Sequence, residues 1–366
     1  MKLGFDARVI EWPGLGTYSR NLLQNFANLQ GLEVICFCNS KTRNLIPEAD
    51  NFDLAVLDED IFSVFNHKKV GKIVNKKGCE LFHSPHVIAP AGLDCPLLVT
   101  AHDIIPILNP KSVTLRRRHT SRWLLKDAIR RADHIITASY ASLRYLEENF
   151  KNKGGKISVI SDGVNQTQFF PRGDDVTTTV LTKYNIKAPH LLWLGSCLPH
   201  KNIAALIDAF AMLKNEKFSQ YNLTLAGKQM GRHWQTILDK IDSLGLSEKI
   251  NLPGFIEDVD LPGLFSSATL FCFPSLYEGF GLPPIEAMAC GTPVLCSNRS
   301  SLPEVVGSAG ILADPDASSL NREMKKFLED SRAKKILSEK GIKRASEFTW
   351  EKTAQKTLAV YQKIIN

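Results

Sequence analysis

The stretch Tyr277-Glu278-Gly279-Phe280-Gly281-Leu282-Pro283-Pro284-Ile285-Glu286-Ala287-Met288-Ala289-Cys290-Gly291-Thr292-Pro293-Val294 decides how this chain is read. Its two carboxylates, Glu278 and Glu286, are separated by a loop of Gly and Pro. Glu286 falls where a helix is expected to begin, since Pro283 and Pro284 suit the first helical positions and Gly291 suits the end. The apolar run Leu270-Phe271-Cys272-Phe273 before the loop predicts a strand. Strand, Gly-rich loop and helix N-terminus together make an anion site, because the first amides of a helix lack internal partners and carry partial positive charge. Two fixed carboxylates beside such a site can take hydroxyl groups. Phosphate plus hydroxyls describes a nucleotide sugar.

Outward from this stretch, short apolar strands alternate with helical patterns along almost the whole sequence, which predicts parallel sheets built from βαβ units. Six strands are expected in the first half, at Lys2–Phe5, Glu33–Cys38, Glu80–His83, Leu97–Ala101, His134–Ala138 and Lys156–Ser161. A second series starts at His190 and continues through Tyr221–Ala226, Lys249–Leu252, Leu270–Phe273, Pro293–Ser297 and Gly310–Ala313. Between the series lies Phe170-Pro171-Arg172-Gly173-Asp174-Asp175, polar and rich in turn formers. The boundary is placed there, dividing the chain into residues 1–170 and 175–349, followed by an amphipathic helix over 350–366. The expected fold class is α/β, with two Rossmann-like parallel-sheet domains facing a cleft.

The chain has 366 residues, 44% of them hydrophobic and 23% charged, an ordinary globular composition. No apolar run reaches the roughly 18 residues of a spanning helix, and the N-terminus lacks a signal-peptide pattern, so a cytoplasmic protein is expected. Its eight cysteines sit mostly inside apolar segments without Cys-x-x-Cys pairs, which suits buried reduced thiols better than a zinc site. The net charge of +7 could serve anionic substrates or an anionic membrane surface. Basic stripes interleaved with stacking aromatics are missing, so nucleic acid is not an expected partner.

Several further elements carry chemistry. Gly14 and Gly16 in the first loop allow backbone to approach a bound group, and Thr17 can cap the helix that follows. The loop has neither the third glycine nor the strand-closing acid of a dinucleotide site. Thr100-Ala101-His102-Asp103 ends a strand where open α/β sheets place ligands, and His83-Ser84-Pro85-His86 ends its expected neighbour. In Gly195-Ser196-Cys197-Leu198-Pro199-His200-Lys201-Asn202, Lys201 sits at an expected helix N-terminus, a poor place for a cation unless an anion binds there. A solvated surface lysine is the plain alternative. The segment Leu115–Arg131 places seven Arg or Lys residues around Trp123, Leu124, Leu125 and Ile129. It reads as a helix whose apolar stripe faces its own sheet, or as a peripheral contact with anionic lipid.

Taken together, these elements resemble the retaining glycosyltransferase family 4, over nearly the whole length. The specific match is Glu-x7-Glu, here Glu278 and Glu286. Supporting matches are the Gly14/Gly16 loop, His102-Asp103, Pro199-His200-Lys201-Asn202 and Ser301-Leu302-Pro303-Glu304-Val305. The resemblance implies the GT-B fold, with a nucleotide-sugar-binding second domain, an acceptor-binding first domain and a last helix, opened by Phe348-Thr349-Trp350-Glu351, that packs on the first. It implies that Lys201 binds the donor diphosphate with amides of Gly279, Phe280, Gly281 and Leu282, and that Gly14, Gly16 and Ser196 also line the donor. Glu278 would hold donor-sugar hydroxyls, Glu286 the ribose, His102 the surroundings of the transferred sugar, and Gly254-Phe255-Ile256 the base.

Two departures stand out. Ser196 occupies a position where family members often carry Arg, so a phosphate-neutralising charge is absent or comes from elsewhere, with His200 and Arg232 as candidates. The usual Asn-Gly-Val-Asp turn reads Asp162-Gly163-Val164-Asn165, its polar residues exchanged. The implied reaction moves a hexose from a nucleoside diphosphate sugar to a hydroxyl of a glycan or lipid-linked acceptor, without a cofactor or bound metal. The His-Ser-Pro and His-Asp-Ile-Ile-Pro elements resemble the bacterial mannosyltransferase branch of surface polysaccharide synthesis, which favours GDP-mannose over a UDP-sugar. The competing readings are a GT-B sugar-nucleotide epimerase and a non-catalytic two-domain sugar-binding protein.

Overall fold

The computed structural model describes residues 1–59, 61–62, 64–102, 115–150, 156–214, 217–229 and 231–366. They form two compact units, Met1–Gly163 with Trp350–Asn366, and Val164–Thr349. Each is a parallel sheet with helical crossovers.

The first sheet comprises β1 (Lys2–Asp6), β2 (Glu33–Cys38), β3 (Phe52–Val56), β4 (Leu81–Ser84), β5 (Leu97–Thr100), β6 (His134–Thr137) and β7 (Ile157–Val159), in the order β3-β2-β1-β4-β5-β6-β7. Six of these match the expected strands to within a residue or two. The unexpected one is β3, an edge strand whose Leu54 and Val56 face solvent. Its apolar run Leu54-Ala55-Val56-Leu57 follows Asp53 and is only partly buried, unlike that of a parallel strand covered on both faces. Strand order reverses between β1 and β4, so the carboxyl ends of those strands form a topological switch point, where open sheets bind ligands.

The helix Leu15–Phe26 packs Tyr18, Leu22, Leu23 and Phe26 inward at helical spacing. The chain's final helix, Trp350–Ile365, belongs to this same unit. Its Trp350 and Tyr361 rings lie 6.1 Å from Tyr18 and 5.8 Å from Phe26. Tyr361 Oη is 2.6 Å from His83 Nδ1, while Thr353 Oγ1 donates to the carbonyl of Ser161 at 2.8 Å.

The second sheet comprises β8 (His190–Leu194), β9 (Asn222–Ala226), β10 (Ile250–Gly254), β11 (Leu270–Phe273), β12 (Val294–Ser297) and β13 (Ile311–Ala313), ordered β10-β9-β8-β11-β12-β13. Trp193, Ile207, Phe210 and Leu225 lie in the core beneath one face. The reversal falls between β8 and β11, the strands that feed the loops carrying Lys201 and Glu278. Residues 164–173 pack within this unit. Gln168 Nε2 donates to Asp258 O at 3.0 Å, Arg172 N donates to Ser266 Oγ at 3.1 Å, and Phe169 stands 6.2 Å from Phe265.

Candidate active site

In the second unit, the loops after β8 and β11 meet side by side. Lys201 Nζ donates to Glu278 Oε1 at 2.7 Å, with side-chain exposures of only 14% and 11%. The lysine also lies 5.2 Å from the face of Phe273. A solvated surface lysine is therefore excluded. Its local setting also differs from the expectation: Lys201 ends a 3₁₀ turn, Pro199–Lys201, and the α-helix starts after it at Ile203. Asn202, in the left-handed conformation at φ 56°, makes the corner. Its amide donates to the carbonyls of Pro274 (3.2 Å) and Pro315 (2.7 Å), tying the two loops together.

The Glu278 loop is fixed from beneath. Ser300 and Ser301 hydroxyls donate to the Glu278 carbonyl at 2.7 and 3.0 Å, and Ser297 Oγ donates to Ser275 O at 2.5 Å. These serines shape the site, and only Ser301 stood in a motif singled out from the sequence. The helix Leu282–Ala289 starts from Gly281, at φ 120° with no side-chain cap. Pro283 and Pro284 have no N–H, so the amides at this end come from the loop up to Leu282.

Glu286 lies in the second turn of that helix rather than at its start. The residue keeps some surface, and among the described residues no hydrogen bond or ion pair is recorded at its carboxyl. Burial of the carboxyl, with Asp258 adding repulsion, pushes its pKa up to about 8. Phe255 is 59% exposed beside Ile256, which is buried, after Gly254 at φ 78°.

The missing phosphate charge is not restored by His200. Burial, with the neighbouring Lys201, pushes that imidazole down to about 4, so it is neutral at pH 7. Ser196 is exposed at the end of β8, and the Arg232 side chain lies outside the described residues. Gly227 ends β9 at φ 125°, where an added Cβ would stand 1.9 Å from Gly195 O. The two strand ends are thus in backbone contact.

In the first unit, Gly14 is exposed at φ 76° and precedes the helix starting at Leu15, so Thr17 lies inside that helix and does not cap it. An added Cβ on Gly16 would meet Ile10 O at 2.2 Å, which accounts for that glycine without a ligand. His102 follows β5 and meets the Tyr18 ring at 4.3 Å. Its Nδ1 is 3.7 Å from Asp162 Oδ2. Asp103 and the Ile-Ile-Pro that follows lie outside the described residues.

His83 is an internal structural residue, held between Tyr361 and Thr100. His86 faces Asp6 at 3.4 Å, and Asp6 also takes two charge-assisted hydrogen bonds from Arg8, at 2.8 and 2.6 Å. Of this buried trio at the β1/β4 switch point, His86 stands in the His83-Ser84-Pro85-His86 motif, whereas Asp6 and Arg8 were not singled out from the sequence. Their only trace there is an acid at a strand end with Arg two positions later. In Leu115–Arg131, Leu124, Leu125 and Ile129 are buried and Trp123 is 50% exposed; the side chains of residues 115–122 lie outside the described residues.

Among the described residues, no helix is long and apolar enough to cross a membrane, and no group of three His, Cys, Asp or Glu could hold a metal. Asp-x-Asp triplets do occur, at 58–60, 258–260 and 314–316. Asp260 is taken by Lys183 and Tyr184, and Asp314 by Asn298 and Arg299.

Residues 12–168 match the model of Glycosyltransferase Family 4, and residues 182–344 that of Glycosyl transferases group 1. The O-antigen chain mannosyltransferase B of Escherichia coli is 30% identical over 99% of this chain and 100% of that protein. The serotype-specific mannosyltransferase WbdA, also of Escherichia coli, is 32% identical over 72% of this chain and 33% of that protein. The structure of sucrose-phosphate synthase from Thermosynechococcus elongatus matches with a TM-score of 0.81 at 23% identity, over 99% of this chain and 98% of that one. This likeness gives the fold as GT-B.

Proposed function

The chain belongs to glycosyltransferase family 4, and from that premise we propose that it moves mannose from GDP-mannose to a hydroxyl of a glycan or lipid-linked acceptor, with retention, in bacterial surface polysaccharide synthesis. The mannosyl reading is supported by the Escherichia coli mannosyltransferase that aligns with this chain end to end. The observation that carries the site is the Lys201–Glu278 contact at 2.7 Å. The two side chains present a cation and a hydrogen-bond acceptor at one point, at the switch of the second sheet. A nucleotide sugar supplies the partner for each: pyrophosphate oxygens for Lys201 and the loop amides, sugar hydroxyls for Glu278. Glu286 then meets the ribose.

As the glycosidic bond breaks, negative charge grows on the departing diphosphate. Lys201 and the loop amides oppose that charge from fixed positions, and removing one such group typically costs ~2.7–4 kcal/mol, about 10²–10³ in rate. The departing phosphate accepts the acceptor's proton on the same face, so the scheme asks no protein base and no metal. Seven buried free cysteines fit a reducing, cytoplasmic setting. Half-exposed Trp123 in the helix 115–131 is the support for peripheral lipid contact.

The deciding experiment is GDP release from GDP-mannose by wild type, Lys201→Ala and Glu278→Gln. Lys201→Ala should lose about 10²-fold or more in turnover while remaining folded. Glu278→Gln should cripple turnover while GDP still binds. Near-normal rates in both variants would refute the assignment, and turnover of a UDP-sugar alone would move the donor.

A further inference from the structure

The first unit contains a second polar cluster, apart from the Lys201–Glu278 pair. Asp162 Oδ2 stands 3.7 Å from His102 Nδ1. The other atom of each group, Asp162 Oδ1 and His102 Nε2, is buried with no hydrogen-bond partner among the described residues. A buried polar atom left unpaired is a standing cost, and here two sit on touching side chains. Asp162 is only 4% exposed. An Asn would fill the same volume without a charge to bury. The Tyr18 ring, 4.3 Å from the imidazole and inclined at 69°, limits how His102 can turn. A separation of 3.7 Å exceeds a hydrogen bond, but contacts of this kind commonly tighten only when substrate is bound.

We propose that Asp162 is the positioning residue for His102. The Nδ1–H of His102 donates to the Asp162 carboxylate, which fixes the tautomer whose Nε2 carries a free lone pair. That lone pair accepts a hydrogen bond from a hydroxyl of the transferred sugar. The inference rests on the reading that puts His102 beside the donor sugar. It assigns a role to the exchanged polar residue of the Asp162-Gly163-Val164-Asn165 turn.

The chemistry of the pair agrees. Burial pushes the Asp162 carboxyl up to about 7 and the imidazole down to about 3. The carboxylate that draws the Nδ1 proton therefore forms as pH rises through about 7, beside an imidazole that stays neutral. Among the described residues, the titratable groups next to the pair are Tyr18 from the helix Leu15–Phe26 and His83 from β4, with Tyr361 of the last helix beyond them on His83. Burial pushes both tyrosines well up and His83 down to about 3, so none of them titrates between pH 5 and 9. Glu286, in the second unit, has its own titration near 8.

The test follows GDP release from GDP-mannose without acceptor, from pH 5.5 to 9, in wild type, Asp162→Asn, His102→Ala and the double variant. Wild-type turnover should rise through about pH 7. Asp162→Asn should be about tenfold slower above that pH, the order of one well-placed hydrogen bond, with KM within about twofold and the limb near 7 gone. The double variant should be no slower than His102→Ala. A second arm needs no donor: ¹⁵N spectra of histidine-labelled protein at pH 8, with His102 assigned by its loss in His102→Ala. They should show the Nδ1-protonated ring in wild type and lose that preference in Asp162→Asn. An Nε2-protonated ring in wild type overturns the proposal. So does a lower Tm in Asp162→Asn with pH limb and tautomer unchanged, the mark of a residue that only shapes the turn. If wild type neither releases GDP by hydrolysis, with water in the acceptor's place, nor gains thermal stability from GDP-mannose, the donor reading falls and the tautomer arm alone decides.

Discussion

Asp6 and Arg8 show what burial does to a single charge. The Asp6 side chain is inaccessible, and the Arg8 guanidinium binds it through two hydrogen bonds, with His86 Nε2 3.4 Å from the Oδ2 that one of them reaches. Burial pushes the Asp6 carboxyl up, but the charge and hydrogen bonds of Arg8, with those of His86, outweigh it and hold it well below the usual range. Its stabilising contribution is therefore present above the ordinary carboxylate range and is lost as pH falls through its lowered folded value. Arg8→Ala should destabilise by about 3–5 kcal/mol, because it leaves a buried charge unpaired; urea unfolding at pH 7 measures it. Asp162 has the opposite sign. Its carboxyl is raised from 3.8 to about 7, so its ionisation costs stability as pH rises across that window. Asp162→Asn should therefore stabilise the fold and raise Tm at pH 8 and not at pH 4, the gain in unfolding free energy being at most about 4 kcal/mol at 1.36 kcal/mol per pKa unit. Melting curves at the two pH values check it, and equal shifts at both would contradict the assignment.

Elements set the site through their ends. β8 and β9 finish in backbone contact because Gly227, at φ 125°, lets Gly195 O approach. Gly227→Ala meets both a strained φ, itself about 1–3 kcal/mol, and a clash with that carbonyl. It should lower Tm and weaken GDP binding together; unchanged GDP affinity in a folded variant would detach this strand end from the donor site. The last helix is held to the first sheet by Tyr361, whose hydroxyl meets His83 Nδ1. Tyr361→Phe leaves that buried nitrogen unpaired and should cost about 1–3 kcal/mol, read by chemical denaturation.

At the scale of the whole molecule, the proposed function gives the nucleotide to the second unit alone. A nucleotide held only by the native second unit adds about 2.7 kcal/mol to its stability at 100 times the dissociation constant. Hydrogen exchange with saturating GDP should show protection in residues 195–202 and 274–282. Protection concentrated instead in residues 1–100 would place the nucleotide on the wrong sheet.

The alternation of apolar runs with helical periods was enough to give two parallel sheets and twelve of their thirteen strands, since a parallel strand buried on both faces must be apolar throughout. The edge strand β3 escaped because its apolar run is short and broken by Asp53, and only the sheet shows that it pairs with β2. The sequence by itself also brought Lys201 and the Glu278–Glu286 loop forward as a candidate phosphate and hydroxyl site, from the pattern of Gly, Pro and carboxylate between a strand and a helix. Tertiary structure alone decided what each polar group meets. It paired Lys201 with Glu278, 77 positions away, made His200 neutral by burial, explained Gly16 by the protein's own backbone, and brought Asp162 to His102. Spacing along a chain fixes which residues share an element, whereas burial and charge contacts arise only where separate strands end side by side.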